Sequence, residues 1–279
     1  MTVRDCGVLT AANTLISAPI IIYGYTPSFI LAIVAAVLFA ILFLVHSYQI
    51  FRHRTWYFVT VPIALLLEVV GYIARSLSSK SPYYVLYFIL QYFFIVTAPV
   101  FISAGIYATL SVLIKRVGRR YSPLLGPKWI LTIFIISDVI CSMIQIAGAA
   151  LIGVAQSNDK DPTTANNILM IGLAIQVFVF FIFIILLATF LFKARKVILQ
   201  TGRSMKLFLF ALVTATLLVY LRTCFRLSET ALGLDSFLFR NEHYFAALEF
   251  VPIVVAVLLF AVFHPGRCLK KDVSMVDSY

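Results

Sequence analysis

Seven long runs of apolar residues constrain this chain more than any other feature. They cover roughly 27–46, 57–76, 84–114, 129–154, 166–192, 206–226 and 243–263. A helix needs about 20 mostly apolar residues to cross the hydrocarbon core of a bilayer, and every run reaches that length. Backbone groups in lipid must bond within their own segment, which favours helices. We therefore predict an all-α, polytopic membrane protein with seven transmembrane helices.

The composition excludes the soluble classes of protein. Hydrophobic residues make up 62% of the chain and charged residues 12%, against about 25% charged residues in soluble domains. Such a chain has too few polar side chains to cover a surface that faces water. A soluble globular domain, a disordered tail and a nucleic-acid-binding module are therefore excluded, in spite of the net charge of +11.

Lysine and arginine are divided unevenly between the two sides of the predicted bundle. Of the 22 such residues, 15 follow the odd-numbered spans and 7 lie on the other side. Because cytoplasmic loops collect these residues, we predict an outside N-terminus and a cytoplasmic C-terminus. The chain then divides into an extracellular segment 1–26, a membrane domain 27–263 and a cytoplasmic tail 264–279. Within the first segment, a signal peptide or an eighth helix is conceivable at 8–22, but Asn13 and Pro19 favour a poor span or a surface segment over a cleaved signal.

Polar side chains inside three spans repeat at i, i+4 and i+7. The three stripes are Glu68–Tyr72–Arg75, Asp138–Ser142–Gln145 and Arg222–Arg226–Glu229. Each stripe lies on one face of its helix. A charge at membrane depth costs at least about 2.5–3.5 kcal/mol, so the stripes must point into the bundle.

The alternating directions of the spans place these groups at similar depths, toward the outer leaflet. We predict a polar cavity open on that side, which binds a substrate. Its candidate residues are Glu68, Tyr72, Arg75, Gln91, Asp138, Gln145, Gln176, Arg222, Arg226, Glu229 and Glu249. The alternative is that ion pairs and hydrogen bonds among them only lock the helices together. Ion pairs are weak stabilisers, and seven ionisable groups exceed what such a lock requires.

Spacing also predicts partners. Glu68 and Arg75 are expected to act as a unit. Asp138 and Glu249 have no cation close by on their own helices, and so should be protonated or face water and a cationic ligand.

Signatures of other chemistries are missing from the sequence. The four histidines, His46, His53, His243 and His264, are scattered at helix ends, and no metal site is expected from them. The sequence has no Walker motif and no HExxH motif. No cofactor and no enzymatic activity are therefore expected.

The polar motifs together resemble one family, the fungal lipid-translocating exporters, from Tyr25 to Arg267. The motifs are Tyr25-x-Pro27-Ser28, Glu68-x-x-Gly71-Tyr72-x-x-Arg75, Ala98-Pro99, Ala104-x-x-Tyr107, Ser122-Pro123, Asp138, Gln145-x-x-Gly148, Gly172-Leu173-x-x-Gln176, Arg222, Arg226-x-x-Glu229, Glu242, Glu249 and His264-Pro265. The family includes the sphingoid long-chain-base exporter and the aminocholesterol-resistance proteins. Phe245-Ala246-Ala247 departs from its usual aromatic and acidic pattern.

The resemblance implies a seven-helix plasma-membrane protein linked to lipid asymmetry and to resistance against toxic amphiphiles. Our leading hypothesis is a translocator of amphipathic lipids, sphingoid bases or cationic amphiphiles. A lipid-sensing receptor or regulator that alters asymmetry indirectly is the alternative, and an intramembrane enzyme is a third class. The expected partners are membrane lipids and amphiphilic substrates, with no nucleic acid and no soluble protein.

Overall fold

The computed structural model describes residues 28–80, 85–122, 126–158, 160–233 and 242–268. The expectations for residues 8–22 and for the tail beyond Cys268 fall outside these ranges. Across the described ranges the chain contains helices and turns and no strand.

Within these ranges, seven helices are long and apolar enough to cross a membrane, as the sequence predicts. The structure contains α1 Phe29–His53, α2 Thr60–Lys80, α3 Val85–Val117, α4 Pro127–Ser157, α5 Thr163–Gln200, α6 Arg203–Leu232, α7 from Glu242 to Val262, and a short α8 Pro265–Cys268. The run predicted around Pro99 is a single helix that contains the proline, α3. The all-α, seven-helix fold class is thus confirmed.

Local sequence explains where two of the helices begin and how one ends. The Ser28 hydroxyl accepts the N–H of Leu31 at 3.3 Å, which caps α1. Before α5, the Asp161 carboxylate accepts the N–H and hydroxyl of Thr163, and these bonds hold the pKa of Asp161 below its usual range. At the end of α1, Arg54 adopts the left-handed conformation and its N–H bonds back to Ile50.

Helices that follow one another in sequence are neighbours in space, and α7 closes the ring by packing on α1 and α6. Most residues in the apolar stretch of α3 are buried, and this helix contacts α2, α4, α5 and α6. The sides of the bundle that face away from this core carry large apolar residues, such as Ile30, Leu44 and Phe178. The outer surface is therefore suited to lipid.

Contacts between helix ends sort the bundle into two sides. On one side, the backbone of Ser28 bonds to Glu242 and the side chain of Asn166 bonds to Thr230. This is the side that the charge count predicts to be extracellular, and we call it the outer side. On the other side, Lys193 reaches the Ser122 carbonyl. We call that side the basic side, since most lysines and arginines fall there. Which side faces the cytoplasm stays a prediction.

Candidate functional site

The structure buries nearly all of the side chains that the sequence singles out. Ten of the eleven candidates are buried and Gln176 is half-buried. They divide into two groups, which occupy different helix interfaces. The first group contains Glu68, Tyr72, Arg75, Gln91, Arg222, Arg226, Glu229 and Glu249, on α2, α3, α6 and α7. The second contains Asp138, Gln145 and Gln176, on α4 and α5.

Three ion pairs organise the first group. The Nη2 atom of Arg75 lies 2.8 Å from Oε1 of Glu242, and Nη1 of Arg226 lies 2.6 Å from Oε2 of Glu229. Arg222 pairs with Glu249 from the neighbouring helix and also donates to the Ile95 carbonyl at 3.0 Å. Each arginine of this group therefore has a carboxylate partner.

Glu68 is a carboxylate of this group that takes part in none of the three ion pairs. It lies at the middle of the second span, Trp56–Lys80, and is 2% exposed. Among the described residues, no hydrogen bond or ion pair joins it to another side chain. The charged groups that act on it are Arg222 and Glu249, which pair with each other. The first group thus holds four carboxylates, Glu242 included, against three guanidinium groups.

A stretch of π-helix places Glu249 within this cluster. Residues Ala246–Phe250 form π-helix inside α7, and the Val251 N–H bonds to the Ala246 carbonyl. Pro252 follows directly and has no N–H to offer the Leu248 carbonyl, as a regular α-helix would require. Such π-helical turns are frequent at functional sites.

Close packing brings α2 against α3 at the same level. A Cβ atom on Gly71 would lie 2.7 Å from Ile95 of α3, so glycine is required for this approach. Ile95 supplies the carbonyl that accepts from Arg222, and Gln91 lies one turn before it on the same face of α3. Gly71 therefore fixes the distance between Glu68 on α2 and Arg222 on α6.

Aromatic rings surround the charges of the first group. Tyr72 is 1% exposed and contacts the rings of Phe39 and Phe250 at 5.6 and 5.8 Å between centroids. The Arg75 guanidinium lies 4.1 Å from the centroid of Phe245. The Arg226 guanidinium lies 4.9 Å from that of Tyr92. Cation–π contacts of this kind stabilise a guanidinium group that is buried away from water.

The second group joins α3, α4 and α5. The Tyr107 hydroxyl donates to Oδ2 of Asp138 at 2.8 Å, and Gln145 donates to Gln176 at 2.7 Å. Oδ1 of Asp138 is buried and has no hydrogen-bond partner. Gly148 permits this interface, since a Cβ atom there would lie 2.7 Å from the backbone nitrogen of Leu169.

Two pairing expectations are wrong. Arg75 pairs with Glu242 on α7 rather than with Glu68, because seven residues of helix separate Glu68 and Arg75 by about 10 Å. Glu249 does have a cationic partner, since Arg222 reaches it from α6. Sequence spacing shows only the partners on the same helix. Asp138 has the uncharged Tyr107 as its described partner, and its interaction with water or a cationic ligand stays a prediction.

Three of the histidines described as scattered come together at the basic side. The ring of His264 lies 5.5 Å from that of His53 and 6.4 Å from that of His46, between centroids. α7 returns to the end of α1 there, which the sequence alone does not show. Among the described residues, no three potential ligands are arranged to hold a metal ion.

Sequence reasoning missed two residues of the site, Glu242 and Tyr107. Both belong to the motifs of the family resemblance, yet neither lies in one of the three polar stripes. Glu242 accepts from Arg75 and from the Ser28 backbone, and so ties α7 to α2 and α1. An acidic residue at the start of a span, level with a buried arginine, was the available signal for it.

Comparison with known proteins matches most of the chain to one family and to several named relatives. The family profile described as "RTA1 like protein" matches residues 61–272. The chain is 29–30% identical to sequences named "Sphingoid long-chain base transporter RSB1" from strains of Saccharomyces cerevisiae, over 88% of this chain and 74% of theirs.

Two further yeast relatives carry other names. "Protein RTM1" of Saccharomyces cerevisiae is 26% identical over 74% of this chain and 66% of its own length. "Protoporphyrin uptake protein 1" of Saccharomyces cerevisiae is 27% identical over 71% of this chain and 65% of its own. No solved structure matches the chain.

Proposed function

This chain belongs to the RTA1-like family of multi-pass membrane proteins, and from that membership we propose that it is a transporter of lipids or other amphiphilic molecules. The finer proposal is that its cargo is a single-chain lipid with an amino headgroup, such as a sphingoid long-chain base. The names of the relatives that match 88% of this chain support this cargo. We further propose that the protein acts in the plasma membrane, where movement of such lipids supports lipid asymmetry and resistance to cationic amphiphiles.

The burial of Glu68 without a cationic partner among the described residues is the single observation that supports the proposed cargo. A buried carboxylate without a cationic partner is costly in hydrocarbon, and three arginines beside it already have partners. An ammonium group that enters this cluster would restore the balance of charge. The chain of such a lipid could stay in hydrocarbon while its headgroup pairs with Glu68. Asp138 offers a second carboxylate without a described cation.

The charges also argue against an acidic cargo at this cluster. A cargo with carboxylates, such as the porphyrin in the name of one relative, would need a cation that is not engaged. In the first group each guanidinium has a carboxylate partner within an ion pair. The cluster therefore favours an amine over an acid.

Reconstitution of the purified protein tests the proposal. Liposomes that contain only this protein and a fluorescent sphingoid base should show faster movement of the base between leaflets than empty liposomes do. A regulator that alters asymmetry indirectly would move no lipid alone. Failure of correctly folded protein to move the base under either sign of proton gradient would overturn the transporter proposal.

Fluorescent analogues distinguish the cargo. An N-acetylated analogue keeps the chain but loses the ammonium group, and should move at least roughly tenfold more slowly, as expected for loss of a charged hydrogen-bonding group. Equal rates for the amine and the amide would still indicate a lipid transporter. They would show that Glu68 does not select its cargo.

A further inference from the structure

A groove on the basic side lies well away from the charged cluster and has no role in the proposed transport. This open groove has a volume of about 490 Å³ and lies against the last turns of α1 and against α8. Its lining residues are Leu44, Val45, Tyr48, Gln49, Arg52, His53 and Arg267. Leu44 and Tyr48 are exposed, at 65% and 68%, so the apolar part of the groove opens toward lipid.

The groove changes from apolar to cationic along its length. Two parallel rows at four-residue spacing form its wall on α1, Leu44–Tyr48–Arg52 and Val45–Gln49–His53. From Leu44 to Arg52 the helix rises about 12 Å. Apolar side chains thus come first, amphipathic and amide side chains next, and a cation last. A phospholipid has the same order of acyl chain, glycerol ester and charged headgroup.

Two cations from separate helices stand at the polar end. Arg52 and Arg267 are exposed and line the same groove. Each of the six acidic residues in the described part of the chain is engaged elsewhere or lies away from this end, so neither arginine has a carboxylate partner among the described residues. Gly266 fixes α8 in place, since a Cβ atom on it would lie 2.5 Å from that of His53. This contact holds Arg267 next to the end of α1.

A buried polar atom at the wall of the groove also lacks a partner. Gln49 is 7% exposed, and its Nε2 donates to the Ala261 carbonyl at 2.8 Å. That bond fixes the amide, and its Oε1 accepts from no described group. This side chain thus leaves an unsatisfied acceptor beneath the wall of the groove, at the level between the apolar side chains and Arg52.

We propose that this groove binds one anionic phospholipid of the leaflet on the basic side. Its phosphate lies between Arg52 and Arg267, and an acyl chain follows Leu44 and Val45. The leaflet on the cytoplasmic side of a membrane is the one rich in anionic lipid, and basic pockets beside transmembrane helices bind such headgroups. The bound lipid fastens α8 to α1 and so stabilises the basic end of the bundle.

Native mass spectrometry of the purified full chain in detergent tests the site. The protein is mixed with phosphatidylserine and phosphatidylcholine that carry identical chains, and the lipid retained at each stoichiometry is counted. We expect one phosphatidylserine to be retained in preference to phosphatidylcholine. Arg52→Gln/Arg267→Gln should weaken that retention by about tenfold or more, since each cation near the surface contributes severalfold.

A charge-matched control separates a site from general attraction. Lys128→Gln/Arg203→Gln removes two exposed cations from the same side outside the groove, and should keep the bound phosphatidylserine. Leu44→Trp keeps both arginines but fills the apolar part of the groove, and should also reduce retention. Leu44 faces lipid rather than the core, so this variant tests the groove even if the arginine variant folds poorly.

Three results would overturn the proposal. Equal losses in the two charge variants would show non-specific attraction. Full retention in Leu44→Trp would show that no acyl chain occupies the groove. Displacement of the lipid by glycerophosphoserine, which has the headgroup without chains, at comparable concentration would assign the site to a soluble anion.

Discussion

At the scale of single residues, the decisive feature is the difference between carboxylates that have a cation and carboxylates that do not. Glu229, Glu242 and Glu249 each accept from an arginine, whereas Glu68 and Asp138 do not. Removing one partner of a buried pair leaves an uncompensated charge, while removing a lone carboxylate leaves none. The two kinds of carboxylate should therefore respond differently to substitution.

Glu68→Gln is expected to keep the protein folded and to slow transport of a sphingoid base by roughly tenfold or more, as for a lost charge-assisted bond. The carboxamide has nearly the same shape and brings no new charge, so thermal stability should stay equal or rise. Transport in liposomes and thermal unfolding are measured on the same preparation. Unchanged transport in Glu68→Gln would remove this residue from the site.

Asp138→Asn is expected to behave in the same direction. The amide oxygen can still accept from Tyr107, so the contact between α3 and α4 survives. Glu249→Gln serves as the contrasting variant, because it leaves the buried Arg222 with a weakened partner and should lower folded yield. If neither Glu68→Gln nor Asp138→Asn affects resistance to a cationic amphiphile, the carboxylate site is wrong.

A double-mutant cycle tests the partner of Arg75. Arg75→Gln and Glu242→Gln should each destabilise the protein by up to about 3 kcal/mol, the lower end for a buried pair, because Glu242 keeps some exposure. The double variant should recover part of that loss. The cycle of Arg75→Gln with Glu68→Gln should instead be nearly additive. Coupling only in the second cycle would show that the sequence-based pairing was right.

At the scale of elements, the π-helical turn of α7 determines what the two halves of that helix present to the bundle. Glu242 and Phe245 lie before the turn and contact Arg75, while Val257 and Ala261 lie after it and accept from α1. Both halves are fastened to other helices. The π-helical turn therefore lets both halves of α7 keep these contacts within one span.

Deletion of Ala247 should convert the π-helical turn to regular α-helix. The segment before it would rotate by about 100° relative to the segment after it, which separates Glu242 from Arg75. We expect lower folded yield and loss of transport. Ala247→Leu is the matched control, since Ala247 is exposed and a larger apolar side chain there faces lipid. Equal behaviour of the deletion and the control would show that the turn has no such role.

At the scale of the whole molecule, the uneven distribution of charge predicts how the bundle sits in the membrane. Most lysines and arginines fall on the basic side, whereas the ion pairs of the described residues hold the buried arginines toward the outer side. An excess of lysine and arginine in short loops is what retains those loops in the cytoplasm. The groove at Arg52 and Arg267 would then face an anionic leaflet.

A topology measurement checks this orientation. An N-glycosylation acceptor inserted through a flexible linker after Lys160 should be modified in cells, and a tag joined to Tyr279 should be reached by antibody only after permeabilisation. An acceptor inserted after Gly202, on the basic side, serves as the negative control. Modification at Gly202 together with protection at Lys160 would invert the molecule.

From the sequence alone, the seven-helix fold class and the positions of the polar groups along the spans are predictable. Hydrocarbon requires about 20 apolar residues per span and tolerates few ionisable ones. The seven helices and the polar stripes that contain Glu68, Asp138 and Arg222 can therefore be identified in the sequence. The pairing of charges was decided by the tertiary structure alone. Which carboxylate meets which arginine depends on how closely α2, α6 and α7 approach, and on the turn that orients Glu249 and Glu242. Periodicity describes one helix at a time, and therefore could not show that Arg75 belongs to Glu242 and that Glu68 is left without a cation.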